Sequence, residues 1–187
     1  MRIKYNAPVI LTYALVCALV VLLSKTLLHG LAEHWFMVPG RGHFSASSFH
    51  NWMTVLTHAA GHAGWDHLVG NFSIILLIGP MLEENYGSRA LLVMIIITAI
   101  VTGVLNLILF TTGLMGASGV VFMMILLASF TNFSRGEIPL TFILVLLLYL
   151  GNEIYRSIDS ERINHFAHIA GGFCGSLFGF LRPPRFH

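Results

Sequence analysis

Charge is the scarcest commodity in this sequence. Asp, Glu, Lys and Arg together make up 10% of 187 residues, against roughly 25% in ordinary soluble domains. The net charge of +2 is scattered over single Lys and Arg residues, so the basic cluster that tracks nucleic-acid phosphates is missing and nucleic acid is not an expected partner. Only two cysteines occur, Cys17 and Cys174. Both sit in apolar segments where cysteine behaves as a small hydrophobe, which excludes a disulfide framework. A His-Glu-x-x-His pattern is absent as well. His58 and His62 have the i, i+4 spacing of a ligand face, but two imidazoles make a poor case for a metal enzyme or metal transporter, so no metal and no cofactor are expected.

What is abundant is apolar length. Hydrophobic residues reach 56% and the mean hydropathy is +0.81. Apolar runs recur near the ~20 residues a helix needs to cross a bilayer. The chain therefore reads as an all-α, multi-pass membrane protein forming one domain over residues 1–187. The first run, Ala7 to Leu23, follows Arg2 and Lys4. It exceeds the usual signal-peptide core and shows no small-residue cleavage site, so a retained first helix over about 7–29 is expected. Residues 30–66 mix Trp35, Phe36, Phe44, Phe49 and Trp52 with polar groups, as an interfacial loop with short amphipathic helices would. Five further helices are expected at about His67–Glu83, Arg89–Phe110, Ser118–Asn132, Ile138–Asn152 and Ile163–Leu181, for six in all. With six spans, Arg2, Lys4, Arg89, Arg135, Arg182 and Arg185 fall on one side, which the positive-inside bias assigns to the cytoplasm together with both termini.

Two of these helices are too short for their task. Ser118 to Asn132 covers 14 residues, or ~21 Å, which cannot bridge ~30 Å of hydrocarbon. If the inner end of this fourth helix lies at the membrane surface, its start lies roughly 10 Å below the outer one. The preceding residues Thr111 to Ala117 then place non-helical backbone at membrane depth, which is tolerated only against protein or a water-filled cavity. His168 lies 14 residues before Arg182, which sets it at the level of Ser118. His67 and Asn71, one turn apart on the second helix, bracket the same level.

Polar side chains gathered at one depth are costly unless they do something. A serine hydroxyl becomes a nucleophile when a base removes its proton, and imidazole titrates in the right range. Ser118 and His168 supply that pair. His67, Asn71 and the backbone N–H of Ser118 are candidate donors to the oxyanion that forms on the attacked carbonyl. No acidic residue is available at this depth to orient His168, so a dyad is expected instead of a triad. Each residue has a plainer reading alone: Ser118 as a small packing residue, His67 as a structural hydrogen bonder, Asn71 as interhelical glue. Their common depth favours chemistry. Gly171 or Gly172, Gly175 and Gly179 form a stripe below His168 that reads as close helix packing.

Taken in order, these motifs resemble the rhomboid intramembrane proteases over about residues 50–180. His67-Leu-Val-Gly-Asn71, within a longer match that starts at Thr57-His58 and includes His62, fits the family's His-x-x-x-Asn. Gly116-Ala-Ser118-Gly119 fits Gly-x-Ser-Gly, Ala167-His168-Ile-Ala-Gly171 with Gly175 fits the last motif, and Gly79, Glu83 and Gly87 fit a further pattern. The resemblance implies a six-helix bundle with a short central fourth helix starting at the buried serine. It also implies Ser118 as nucleophile, His168 as general base, His67 and Asn71 as oxyanion donors, and Gly116, Gly119, Phe122, Gly171 and Gly175 in support. Substrates would be single-span membrane proteins, cut in a cell membrane of the bacterial inner-membrane kind, with Ile138 to Asn152 gating lateral entry. A non-catalytic member that binds membrane clients is the alternative. Two departures stand out. Met53-Thr54 replaces a Trp-Arg pair that many relatives carry, and Phe122 replaces the usual tyrosine, keeping the ring and losing the hydroxyl.

Overall fold

Helix α1 (Pro8–Thr26) opens on a proline, whose missing N–H would have had no intrahelical partner in any case. The next two amides still need acceptors, and Ala7 at the N-cap offers no side chain for them. They find one 74 residues away: the buried Glu83 carboxylate accepts from Val9 N–H at 3.0 Å and from Ile10 N–H at 3.1 Å. A negative charge at this end also suits the helix dipole. Glu83 lies near the end of α4 (Trp65–Tyr86), so the capping sets α1 and α4 antiparallel. Gly79, one turn earlier, lets them approach, because a Cβ there would lie 2.7 Å from Ile10 Cδ1. Gly87, at φ +83°, turns the chain into α5 (Ser88–Leu109).

This computed structural model describes residues 4–130, 138, 140–145, 147–148 and 162–181. Between α1 and α4 the chain forms α2 (Leu31–Trp35), an irregular stretch, α3 (Phe49–Thr57) capped by the Ser48 hydroxyl, and a 3-10 turn at His58–Ala60. The Tyr13 hydroxyl donates to the Ala59 carbonyl at 2.6 Å, tying that turn to α1. Helix α6 (Ser118–Ala128) carries no polar face, as a helix surrounded by protein requires. Val120, Val121, Met123, Met124, Leu126 and Leu127 are all buried. Helix α7 (Arg162–Leu181) lies along it with almost no gap. Cβ atoms at Gly171 and Gly175 would strike the backbones of Gly119 and Met123, and one at Gly179 would strike the Phe130 ring.

Among the described residues the fold is all-helical, apart from one isolated antiparallel bridge between Val38 and Leu114. Three helices, Pro8–Thr26, Trp65–Tyr86 and Ser88–Leu109, are long and apolar enough to cross a membrane, and Ser118–Ala128 and Phe166–Leu181 are shorter apolar helices. The element ends differ from expectation by a few residues. Helix α1 stops at Thr26, three residues short of the expected 29, and α4 begins at Trp65 and runs to Tyr86, past the expected Glu83. Helix α6 gives way to a turn at residues 129–130, before the expected Asn132. Of the expected helix at Ile138 to Asn152, residues 140–145 and 147–148 are helical, and 139, 146 and 149–152 lie outside the described residues.

Replacing Glu83 with alanine strips two buried amides of their acceptor, which costs about 1–3 kcal/mol per orphaned group. Glu83→Ala is expected to lower the thermal unfolding midpoint in detergent micelles, and an unchanged midpoint would refute the capping role.

Candidate active site

Residues 111–117 run non-helically into the bundle, so each buried polar group of that backbone needs a partner. Several are supplied from elsewhere in the chain. Val38 and Leu114 exchange two backbone hydrogen bonds at 3.0 Å each, and Asn106 Nδ2 donates to the Thr112 carbonyl at 3.0 Å. The Gly116 N–H donates to the His58 carbonyl at 2.9 Å. Gly116 sits at φ +136°, a conformation that favours glycine. It is also crowded, since a Cβ would lie 2.7 Å from His67 Cε1 and 2.8 Å from its Nε2. The His67 ring therefore rests on the backbone two residues before Ser118.

Ser118 is the first residue of α6 and is half-buried. Ala117, at the N-cap, makes no side-chain capping bond, so the electropositive end of the helix lies at the serine. The residues after the serine face the helix that carries His168. A Cβ on Gly119 would lie 2.9 Å from Thr102 Cγ2 and 3.4 Å from the Ala167 carbonyl oxygen. One turn below Ser118, the Phe122 ring lies 4.2 Å from the His168 ring, centroid to centroid, with the planes 31° apart. The first turn of α6 and the His168 turn of α7 thus abut through Gly119 and Gly171 on one side and through Phe122 and His168 on the other.

Asn71 follows His67 by one helical turn and is buried, and its Nδ2 has no hydrogen-bond partner among the described residues. A buried amide hydrogen without an acceptor is costly, and such a group calls for an explanation. His67 thus meets Gly116, two residues before Ser118, and His168 meets Phe122, four residues after it.

His58 and His62 had been weighed in the sequence only as part of a longer match and as a two-residue ligand face. The structure gives them other surroundings. His58 is buried; its Nδ1 donates to the Val55 carbonyl at 2.9 Å, leaving Nε2 to accept from the Thr102 hydroxyl at 3.3 Å. The single proton of that hydroxyl is shared between Nε2 and the Thr98 carbonyl, which lies at 2.9 Å. With both ring nitrogens engaged and its carbonyl bound to Gly116 N–H, His58 shapes the loop that presents the serine. His62 is equally buried and packs edge-on against His67, with ring centroids 5.0 Å apart, and neither of its ring nitrogens has a hydrogen-bond partner among the described residues. Among the described residues, no three His, Cys, Asp or Glu side chains gather as a metal site. The signal for both roles was the register of these residues against His67 and Thr102, which becomes visible only once the helices are packed.

A family model described as Rhomboid domain matches residues 50–185. The chain belongs to the rhomboid family. It is a membrane protein of that fold. Among characterised proteins it is 25% identical over 170 residues to rhomboid-like protein 11, chloroplastic, of Arabidopsis thaliana, covering 81% of this chain and 60% of that one. It is 24% identical over 129 residues to rhomboid protease GlpG of Haemophilus influenzae, covering 67% of each chain. It is also 32% identical over 132 residues to rhomboid-related protein 1 of Caenorhabditis elegans, covering 64% of this chain and 37% of that one. The chain thus spans somewhat less than two thirds of the plant relative and little more than a third of the nematode one. One of these rhomboid relatives is chloroplastic by name, so the family membership places the chain in a membrane without choosing the bacterial inner one.

The buried imidazoles give the fold a pH dependence. Burial lowers the pKa of His58 from its usual 6.5 to about 4, partly offset by the bond to Val55. Burial, with the neighbouring His67 adding to it, lowers His62 to about 4 as well. Both rings stay neutral in the folded chain where the unfolded chain already takes up protons. Their contribution to stability is therefore complete above pH 6.5 and is lost as the pH falls toward 4. The thermal midpoint in detergent should drop between pH 7 and pH 5, and His62→Phe should show a smaller drop; an equal drop in both proteins would contradict this assignment.

Proposed function

We propose that this rhomboid is an intramembrane serine endopeptidase that cleaves single-span membrane proteins with Ser118 and His168 as a catalytic dyad. The observation that carries the reading is the contact between the turn bearing Ser118 and the turn bearing His168, closed by glycine on glycine and by the Phe122 ring on the imidazole. We take the bundle as six spans, with the fourth starting at the serine and both termini on the cytoplasmic side.

In this mechanism Ser118 Oγ attacks the scissile carbonyl while His168 accepts the hydroxyl proton. The carbonyl oxygen becomes an oxyanion, and the Ser118 backbone N–H, Asn71 Nδ2 and His67 donate to it. His168 then hands its proton to the departing amine, leaving an acyl-enzyme. Water enters, His168 takes its proton, and the same donors hold the second oxyanion until Ser118 is released. A substrate helix must unwind locally first, because a helical carbonyl is already hydrogen-bonded and shielded. His67 resting on Gly116 and the unpaired amide of Asn71 both support a donor set assembled before substrate arrives.

The test is reconstitution into liposomes with a single-span substrate. Ser118→Ala and His168→Ala should each lower cleavage roughly 10⁴-fold or more, and Asn71→Ala by about 10²–10³-fold, as for loss of one oxyanion donor. All three should keep the thermal midpoint of the parent protein. Residual cutting by Ser118→Ala at the parent rate would overturn the mechanism. Failure of a fluorophosphonate probe to label Ser118 in the folded parent would favour the alternative of a client-binding rhomboid without catalysis.

A further inference from the structure

Away from the catalytic side of the bundle, a groove of about 760 Å³ runs between α1 and α4. Its walls are apolar: Leu11, Ala14, Leu15 and Ala18 of α1 face Phe72 and Leu76 of α4. The α1 residues repeat at three- and four-residue spacing, so they form one stripe, and the two alanines recess its floor. From Leu11 to Ala18 the stripe covers seven residues, or ~10 Å, and the facing wall from Leu68 to Leu76 covers eight, or ~12 Å, both within the ~15 Å half of a ~30 Å hydrocarbon core. The groove is therefore short enough to lie within a single leaflet. Its polar end is built from residues before the helix. The Tyr5 hydroxyl shares a 2.9 Å hydrogen bond with the Thr12 hydroxyl, which folds the leading segment back along α1. Lys4 and Asn6 stand at that mouth, and Lys4 makes no ion pair among the described residues.

We infer that this groove binds one anionic phospholipid, with an acyl chain laid between α1 and α4 and the headgroup phosphate paired with Lys4. The occupant must be apolar over ~10 Å and negative at one end, and a lipid of that leaflet meets both demands. A second copy of the chain fits less well, because a two-fold axis along the membrane normal would bring two Lys4 side chains together at one level. A passing transmembrane helix would fill the apolar length and leave Lys4 without a counter-charge. A zwitterionic lipid would fill the groove with a weaker hold at its mouth.

Native mass spectrometry of the full-length protein in a neutral detergent decides the matter, with phosphatidylglycerol or phosphatidylcholine of matched acyl chains titrated in. The parent should retain one phosphatidylglycerol at about fivefold lower concentration than phosphatidylcholine, the factor that corresponds to ~1 kcal/mol for one basic side chain at a membrane surface. Lys4→Gln should erase that preference, while Arg89→Gln, which removes an exposed cation elsewhere, should preserve it. Ala18→Trp, which fills the floor, should weaken retention of both lipids. An undiminished preference in Lys4→Gln, or an equal loss in Arg89→Gln, would overturn the proposal in favour of diffuse surface charge. A lipid-free dimer that Ala18→Trp dissolves would overturn it in favour of a second copy. If Ala18→Trp does not fold, the comparison of Lys4→Gln with Arg89→Gln decides alone.

Discussion

Buried backbone amides and carbonyls need partners, and the stretch at residues 111–117 has to find them without being a helix. Its partners come from three separate places: Val38 in the segment between α2 and α3, Asn106 at the end of α5, and His58 in the turn before α4. That segment, the buried histidine and the position of Ser118 are therefore one structural problem. This explains why a residue as costly to bury as His58 is kept: its ring bonds hold the turn in place, and its carbonyl is the acceptor that the loop needs.

The contact between α6 and α7 supplies a different kind of precision. Side chains adapt to strain by changing rotamer, whereas two backbones in contact have no such freedom. Gly171 against Gly119 and Gly175 against Met123 fix the separation and the register of the two helices. A catalytic pair carried on separate helices tolerates misplacement of only a fraction of an ångström. Small residues directly after Ser118 and about one turn after His168 are the economical way to meet that tolerance in a membrane, where no hydrophobic force draws helices together.

These two constraints were not equally legible in the sequence. Hydropathy gave the long helices, and the polar residues interrupting it gave Ser118, His67, Asn71 and His168 as candidates, because polarity in an apolar run is conspicuous. The glycine stripe on α7 was legible for the same reason: its period of four residues is a local property. The Glu83 cap on α1 was not legible as an interaction. Its partners are backbone amides 74 residues away, and backbone groups leave no mark in composition. The pairing of Val38 with Leu114 was hidden likewise, since an isolated bridge needs no alternating pattern. His58 and His62 were visible as residues and opaque as roles. Only packing reveals that one is fully bonded and that the other lies edge-on to His67.

The proposed pairing of Ser118 with His168 raises the question of what orients the imidazole. In soluble triads a buried carboxylate does so, and a charge of that kind at membrane depth would carry a heavy desolvation cost. An aromatic face offers orientation at no such cost. Phe122 stands one turn from Ser118 on the same helix, so a ring that restricts His168 is referenced to the proposed nucleophile itself. The tilt of 31° at 4.2 Å is an offset stacking geometry, which limits rotation of the imidazole about its side-chain torsions. The restraint needs only the ring, so phenylalanine can provide it without the hydroxyl of the tyrosine that the family resemblance leads one to expect. What the missing hydroxyl removes is a polar group beside the imidazole. Under the proposed mechanism the consequence therefore falls on water and substrate contacts and leaves the alignment of Ser118 with His168 intact.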